Sequence, residues 1–203
     1  MTVRRVIHED LSLNTYKKIR VQALTTNQIQ RRKSFAHWIK NRFSREKCRS
    51  ILFSDEKWFD QDGQYNRQND CVYAKSREAA SKDFGTRPVH KFPFKVMVWA
   101  GITFQGVTYI VILPQKTYFD AAFYIKNVLP IVKRDGIRLI GPDFTFQQDG
   151  AKPHTSRATI EAIKSMGVSL IGPVIWPPNS PDLNPIDYFF WGRVRKTAKN
   201  KNI

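Results

Sequence analysis

Residues 95–114, KVMVWAGITFQGVTYIVILP, constrain the fold more than any other stretch. Runs rich in Val, Ile, Thr, Tyr and Trp flank Phe104-Gln105-Gly106. Such side chains lose rotamer freedom in a helix and pack well on a pleated sheet. The short glycine-containing connection is a hairpin signal, so an antiparallel pair is expected at the centre of the chain. Further strand patterns are SILFSDEKWF (50–59), CVYA (71–74), DFTFQQD (143–149) and a short run within SLIGPVIWPP (169–178). Helical patterns are TYFDAAFYIKNVLPIVKRD (117–135), KPHTSRATIEAIKSMG (152–167) and NPIDYFFWGRVRKTAKNK (184–201). Pro130 is expected to kink or end the first, and Gly167 to stop the second. The polar, basic stretch 75–92 reads as a mobile loop. A group of mainly antiparallel strands followed by helix–strand–helix–strand–helix fits an α/β fold, a mixed sheet with helices on both faces.

Before residue 50 the pattern is helical. VRRVIHEDL reads as the end of a helix. TTNQIQRRKSFAHWIKNRF reads as a helix capped near Thr26, with Ile29, Phe35, Ala36, Ile39 and Phe43 along one face. Residues 1–50 hold thirteen Lys and Arg against three acids, and the whole chain of 203 residues carries a formal charge of +17. Folding does not need such an excess, and it points to a polyanionic partner, nucleic acid before anionic membrane. The candidate phosphate contacts are Arg4, Arg5, Lys17, Lys18, Arg31, Arg32 and Lys33; the alternative is a solvated basic face. Cys48 and Cys71 have no metal-type spacing and fit a reducing compartment. No apolar run is long enough to span a bilayer, and the N-terminus lacks the apolar segment of a secretory signal. Residues 60–66, DQDGQYN, miss a calcium loop by their glycine position.

Three acids stand at element ends. Asp55 follows ILFS, beside Glu56; neighbours on a strand face opposite ways, so only one of the two enters a given site. Asp149 ends FTFQQ. Asp187 falls in the first turn of the last helix, with Asn184 as N-cap and Pro185 at the first helical position. Each has an ordinary alternative: an ion pair to Lys57, a turn before Gly150, or a capping role. Together they can converge at one sheet edge, and converging carboxylates repel unless a cation neutralises them. Hard divalent ions do so through oxygen ligands, and a pair of ions about 3.5–4 Å apart clamps an in-line phosphoryl transfer. Asp182 is the rival third acid, but it lies in a loop and reads as a turn or cap residue.

FSDEKWF, QQDGAKPHTS and WPPNSPDLNPIDYFFWG together resemble the catalytic domain of the mariner superfamily of DNA transposases, over about residues 45–195. The resemblance implies a ribonuclease-H-like fold, a triad of Asp55, Asp149 and Asp187 that is both catalytic and metal-binding, and two Mg²⁺ ions, with Mn²⁺ as the alternative. Thirty-seven residues separate Asp149 from Asp187, and the third acid is Asp, as in the all-aspartate branches. His154 is then either support for the site or a structural histidine packing the turn. Gly150 is expected to turn the chain without a Cβ beside the metal. The resemblance also implies partners (transposon-end and target DNA, and a second copy in a homodimer) and a nuclear location.

Relatives carry paired helix-turn-helix units ahead of this domain and further helix after it. Here residues 1–47 resemble only the end of the second unit plus a linker, and residues 48–203 an incomplete catalytic domain. A chain truncated at both ends is the expectation. The function expected is metal-dependent DNA strand cleavage and transfer. The alternatives are a catalytically inactive DNA-binding remnant, and a nuclease that hydrolyses without strand transfer.

Overall fold

The computed structural model describes residues 2–14, 22–60, 72–82, 91 and 93–200. Lys17, Lys18 and Cys71 lie outside these. Five strands form one mixed sheet in the order β3-β2-β1-β4-β5. They are β1 Ile51–Asp60, β2 Lys95–Ile102, β3 Val111–Ile112, β4 Thr145–Gln147 and β5 Ser169–Ile171. The pairs β1·β2 and β2·β3 are antiparallel, and β1·β4 and β4·β5 are parallel. The mixed sheet with flanking helices agrees with the fold class expected from sequence.

Alternation along β1 sorts the side chains between two layers. Leu52 packs with Trp99, Phe146, Phe144 and the helical segment 121–139 on one face. Ile51 and Phe53 meet Ile171, Trp176 and the basic helix Thr26–Arg42 on the other. The last helix covers the β2 side of that second face through Ile186 and Trp191 against Ala100. The basic helix is closed by a capping box, in which the Thr25 side chain accepts from Gln28 N–H and the Gln28 side chain accepts from Thr25 N–H. The cap is thus Thr25, one residue before the position expected.

Several local expectations need correcting. The described residues of CVYA, Val72, Tyr73 and Ala74, have no regular structure, and Tyr73 is exposed. Arg77–Lys82, expected to be loop, is a short helix. Pro130 does not end its helix, which runs on to Leu139. It sits at the start of Leu129–Leu139, directly after a π-turn over Tyr124–Val128. A widened turn is one way a helix accommodates the missing proline N–H. The segment 152–167 is two helices, because Ser156 leaves the helical region and caps the second through Thr159 N–H. Gly167, at φ +71°, does stop it.

The hairpin after β2 is present but irregular. Thr103 and Gly106 close it, and an Ile102–Val107 bridge follows. The expected second strand survives only as Val111–Ile112. Between them Thr108 N–H still donates to Gly101 O, and two side chains take further ladder N–H groups. Thr108 Oγ1 accepts from Gly101 N–H at 2.9 Å, and the buried Asp135 carboxylate accepts from Tyr109 N–H at 2.7 Å.

Candidate active site

The parallel β1·β4 pairing ends at Phe53 opposite Gln147. Two residues beyond that pair stand Asp55, still within β1, and Asp149, just past the end of β4. Asp55 is therefore not at the end of its strand. β1 continues to Asp60 against β2, with Asp55 opposite Ala100. What ends there is the neighbour β4, and its departure opens the edge into which both acids project.

Asp187 reaches the same edge from the last helical segment, which opens at Ile186. Asn184 fixes that opening. Its Oδ1 accepts from Ile186 N–H at 3.2 Å, and its Nδ2 donates to the backbone oxygen of Ser54 at 3.1 Å. The residue that caps the helix is thus tied to the residue before Asp55. Ser54 Oγ in turn donates to Gln147 O at 2.9 Å, which links β1 to β4 just before the acids. All three aspartates line one cavity of about 710 Å³, together with Arg31, Trp176 and Asn184.

Asp55 is pushed up to about 7, by burial first and then by the charge of Asp187. Asp187 is also raised, again by burial first; a hydrogen bond with Asp55 and the charge of Lys57 oppose it. Burial and the charge of its neighbour thus make Asp55 slow to ionise, and burial does the same to Asp187. Asp149 is different. Burial pushes it up, but hydrogen bonds from His154 (2.7 Å) and Ala151 N–H (2.9 Å) outweigh this and hold it below the ordinary value.

His154 is buried, with Nδ1 against Asp149 and Nε2 3.3 Å from Glu56 Oε1. The latter contact is close enough for charge pairing but is not aligned as a hydrogen bond. Burial opposes protonation, yet the two carboxylates win and raise His154 to about 9. It is an imidazolium at neutral pH. Its ring packs on Tyr124, centroids 4.6 Å apart, and Tyr124 Oη donates to Gln148 Oε1 at 2.9 Å. Alternation along β1 is expected to turn Glu56 away from Asp55. It does face away, and it enters through His154 instead.

Other expectations meet a different environment. Gly150 has no left-handed φ, and a Cβ there would make only an ordinary 3.7 Å contact with Pro173. Asp182 lies in the 3-10 turn Pro181–Leu183, a turn residue as expected. It receives the Arg32 guanidinium in a two-pronged pair, 2.6 and 2.9 Å, while Arg32 also donates to Ser180 Oγ. Arg31 donates to the carbonyl oxygens of Pro173 and Trp176. Both guanidiniums therefore hold the 173–182 loop. Arg4, Arg5 and Lys33 are exposed. Trp191, missed in sequence, donates from Nε1 to Asp55 Oδ2 at 2.7 Å. Its spacing of four residues from Asp187 was the available signal.

A hard divalent cation suits this donor set: three carboxyl groups around one cavity, two of them raised by burial. Among the described residues, no three His, Cys, Asp or Glu side chains stand at metal-ligand spacing, so the cage is not preassembled.

No family model matches the chain. It is 31% identical over 159 residues to the Tc3 transposase of Caenorhabditis elegans, covering 75% of this chain and 43% of that protein. It is 32% identical over 105 residues to the Tcb2 transposase of Caenorhabditis briggsae, covering 51% of this chain and 36% of that one. The chain thus spans less than half the length of these relatives. Its fold matches the Mos1 mariner paired end complex with Mn, at TM-score 0.69 and 21% identity over 96% of this chain and 60% of that one. It also matches the Mos1 transposase catalytic domain with Raltegravir and Mg, at TM-score 0.61 and 21% identity over 87% of this chain and 75% of that one. These likenesses establish the ribonuclease-H-like fold.

Proposed function

The chain belongs to the mariner and Tc1 superfamily of transposases, and from that premise we propose that Asp55, Asp149 and Asp187 form a metal-dependent centre that cuts and joins DNA strands. The observation that carries the proposal is the shared cavity: three acids from β1, the end of β4 and the last helical segment line it together. Two Mg²⁺ ions, or Mn²⁺, held by these carboxylates would offset negative charge developing at phosphorus and make a bound water or hydroxyl more acidic.

The reaction proposed exchanges one phosphorus–oxygen bond for another at each step. Water attacks the phosphodiester at the element end, and the bond to the 3′ oxygen breaks, leaving a 3′-hydroxyl and a 5′-phosphate. That hydroxyl then attacks a phosphodiester of the target strand and displaces its 3′ oxygen. No oxidant or other co-reactant is consumed.

The chain's own residues prepare the site. His154 and Ala151 N–H orient Asp149 and keep it ionised. Asn184 anchors the turn that delivers Asp187. Lys57 stabilises the ionised form of Asp187. The surplus cations, Arg4, Arg5 and Lys33 among them, would bind DNA phosphates, with an affinity that falls steeply with salt. Joining two transposon ends calls for two copies of the chain, hence a homodimer, and chromosomal targets call for a nuclear location.

The test is nicking of plasmid DNA by purified protein with Mg²⁺ or Mn²⁺, beside an EDTA control and the variant Asp149→Ala. Nicking should need the metal and vanish in the variant, while DNA binding persists. Nicking that survives Asp149→Ala refutes the assignment of the triad.

A further inference from the structure

The last helix brings two groups to β1 at once. Asp187 and Trp191 are four residues apart, so they lie on the same helical face. Asp187 enters the cavity. Trp191, 3% exposed, turns its indole N–H onto Asp55 Oδ2 at 2.7 Å. Its ring is seated independently of that bond, against Ala100 and Ile186, edge-on to Phe59 at 5.8 Å and tilted on Phe190 at 5.2 Å. Asp55 is therefore approached on one oxygen by a rigid, uncharged donor that cannot titrate. The indole engages only that oxygen.

We infer that Trp191 is a positioning residue for the metal centre: its indole N–H fixes the rotation of the Asp55 carboxylate, so that a single oxygen faces the cavity and Asp187. This rests on the metal-dependent reading above. Hydrogen bonds to ligating groups commonly change metal affinity about 10–100-fold. Because one helix supplies both the third acid and the donor to the first, a shift of that helix would misplace two of the three carboxylates together. The arrangement also explains why a buried tryptophan follows Asp187 where any large apolar side chain would fill the space.

The test separates the bond from its consequence. In metal-free protein, the Trp191 indole N–H should give a shifted, slowly exchanging proton resonance that moves in Asp55→Ala. An unmoved resonance overturns the inference. Mn²⁺ binding is then measured for Trp191→Phe and for protein carrying 3-benzothienylalanine at position 191, which keeps the ring shape and lacks the donor. Mn²⁺ affinity should fall at least tenfold in both, with metal-free thermal stability near wild type for the benzothienyl variant. Trp99→Phe, which alters another buried indole, one in the core of the opposite face whose N–H bonds no acid, should bind Mn²⁺ as wild type does. Undiminished affinity in the benzothienyl variant, or an equal loss in Trp99→Phe, refutes the positioning role. Wild-type protein that binds no Mn²⁺ refutes the metal-dependent reading itself, and the role with it.

Discussion

Asp135 carries the most informative stability prediction. Its carboxylate is 1% exposed. It accepts from Tyr109 N–H at 2.7 Å, from Arg134 Nε at 2.9 Å and Nη2 at 3.2 Å, and from Arg138 Nε at 3.3 Å. The Arg134 hydrogen bonds, above all, lower it to about 2. An unfolded aspartate titrates near about 3.9. The folded state therefore binds this proton less readily than the unfolded state. The stabilisation is complete above about pH 5 and is lost as pH falls towards about 2. A gap of this size corresponds to about 2.6 kcal/mol at neutral pH. Both guanidiniums are more than half exposed, at 61% and 57%, and solvent screening cuts the figure to about 1–2 kcal/mol.

Asp135→Asn keeps the shape and an acceptor for Tyr109 N–H but removes the charge. Urea unfolding followed by tryptophan fluorescence should show it less stable by about 1–2 kcal/mol at pH 7. The gap should fall to about half at pH 3 by the same linkage, and shrink in high salt at pH 7. A gap that stays the same from pH 7 to pH 3 would mean the loss comes from packing, and the electrostatic account would fail.

Two further outcomes follow from the same packing and charge. Gly136→Ala would place a Cβ 2.4 Å from the buried ring of Phe144. Overpacking of this kind costs about 1–3 kcal/mol, so thermal unfolding should begin several degrees lower; a midpoint equal to wild type would show that the helix and ring separate freely. Asp187→Asn removes one of two repelling carboxyls. In EDTA its unfolding midpoint should rise by about 2–4 °C for about 1 kcal/mol while nicking is lost, and a lower midpoint would refute the repulsion.

What sequence made legible was local. The capping of the basic helix, the Phe104-Gln105-Gly106 turn, the stop at Gly167 and the placement of Asp187 just after a capping asparagine all depend on neighbours a few residues apart. The convergence of the three acids was legible only through the motif resemblance, since no spacing rule reports which strand ends share an edge. What was not legible depends on distant partners. β3 is short because Asp135, 26 residues from Tyr109, takes a ladder N–H. Asp182 is the turn residue it looked like, but its pair with Arg32, 150 positions away, left no local signal. Asp55 looked terminal because the strand that stops beside it is β4, not its own.

The charge of the chain reads differently once the partners are in place. An excess of +17 suggests a surface given over to a polyanion, yet several of the cations work inward. Arg31 and Arg32 hold the loop that leads to Asp187. Arg134 and Arg138 neutralise a buried acid behind the hairpin. His154 stands between Glu56 and Asp149 as a fixed positive charge inside the site. Each of these groups counters an acid or a backbone carbonyl whose position the site or the sheet requires. A helix that sequence alone left as either a solvated face or a phosphate-binding one thus proves to have a third use: through Arg32 and Asp182 it holds the segment from which the third carboxylate is aimed.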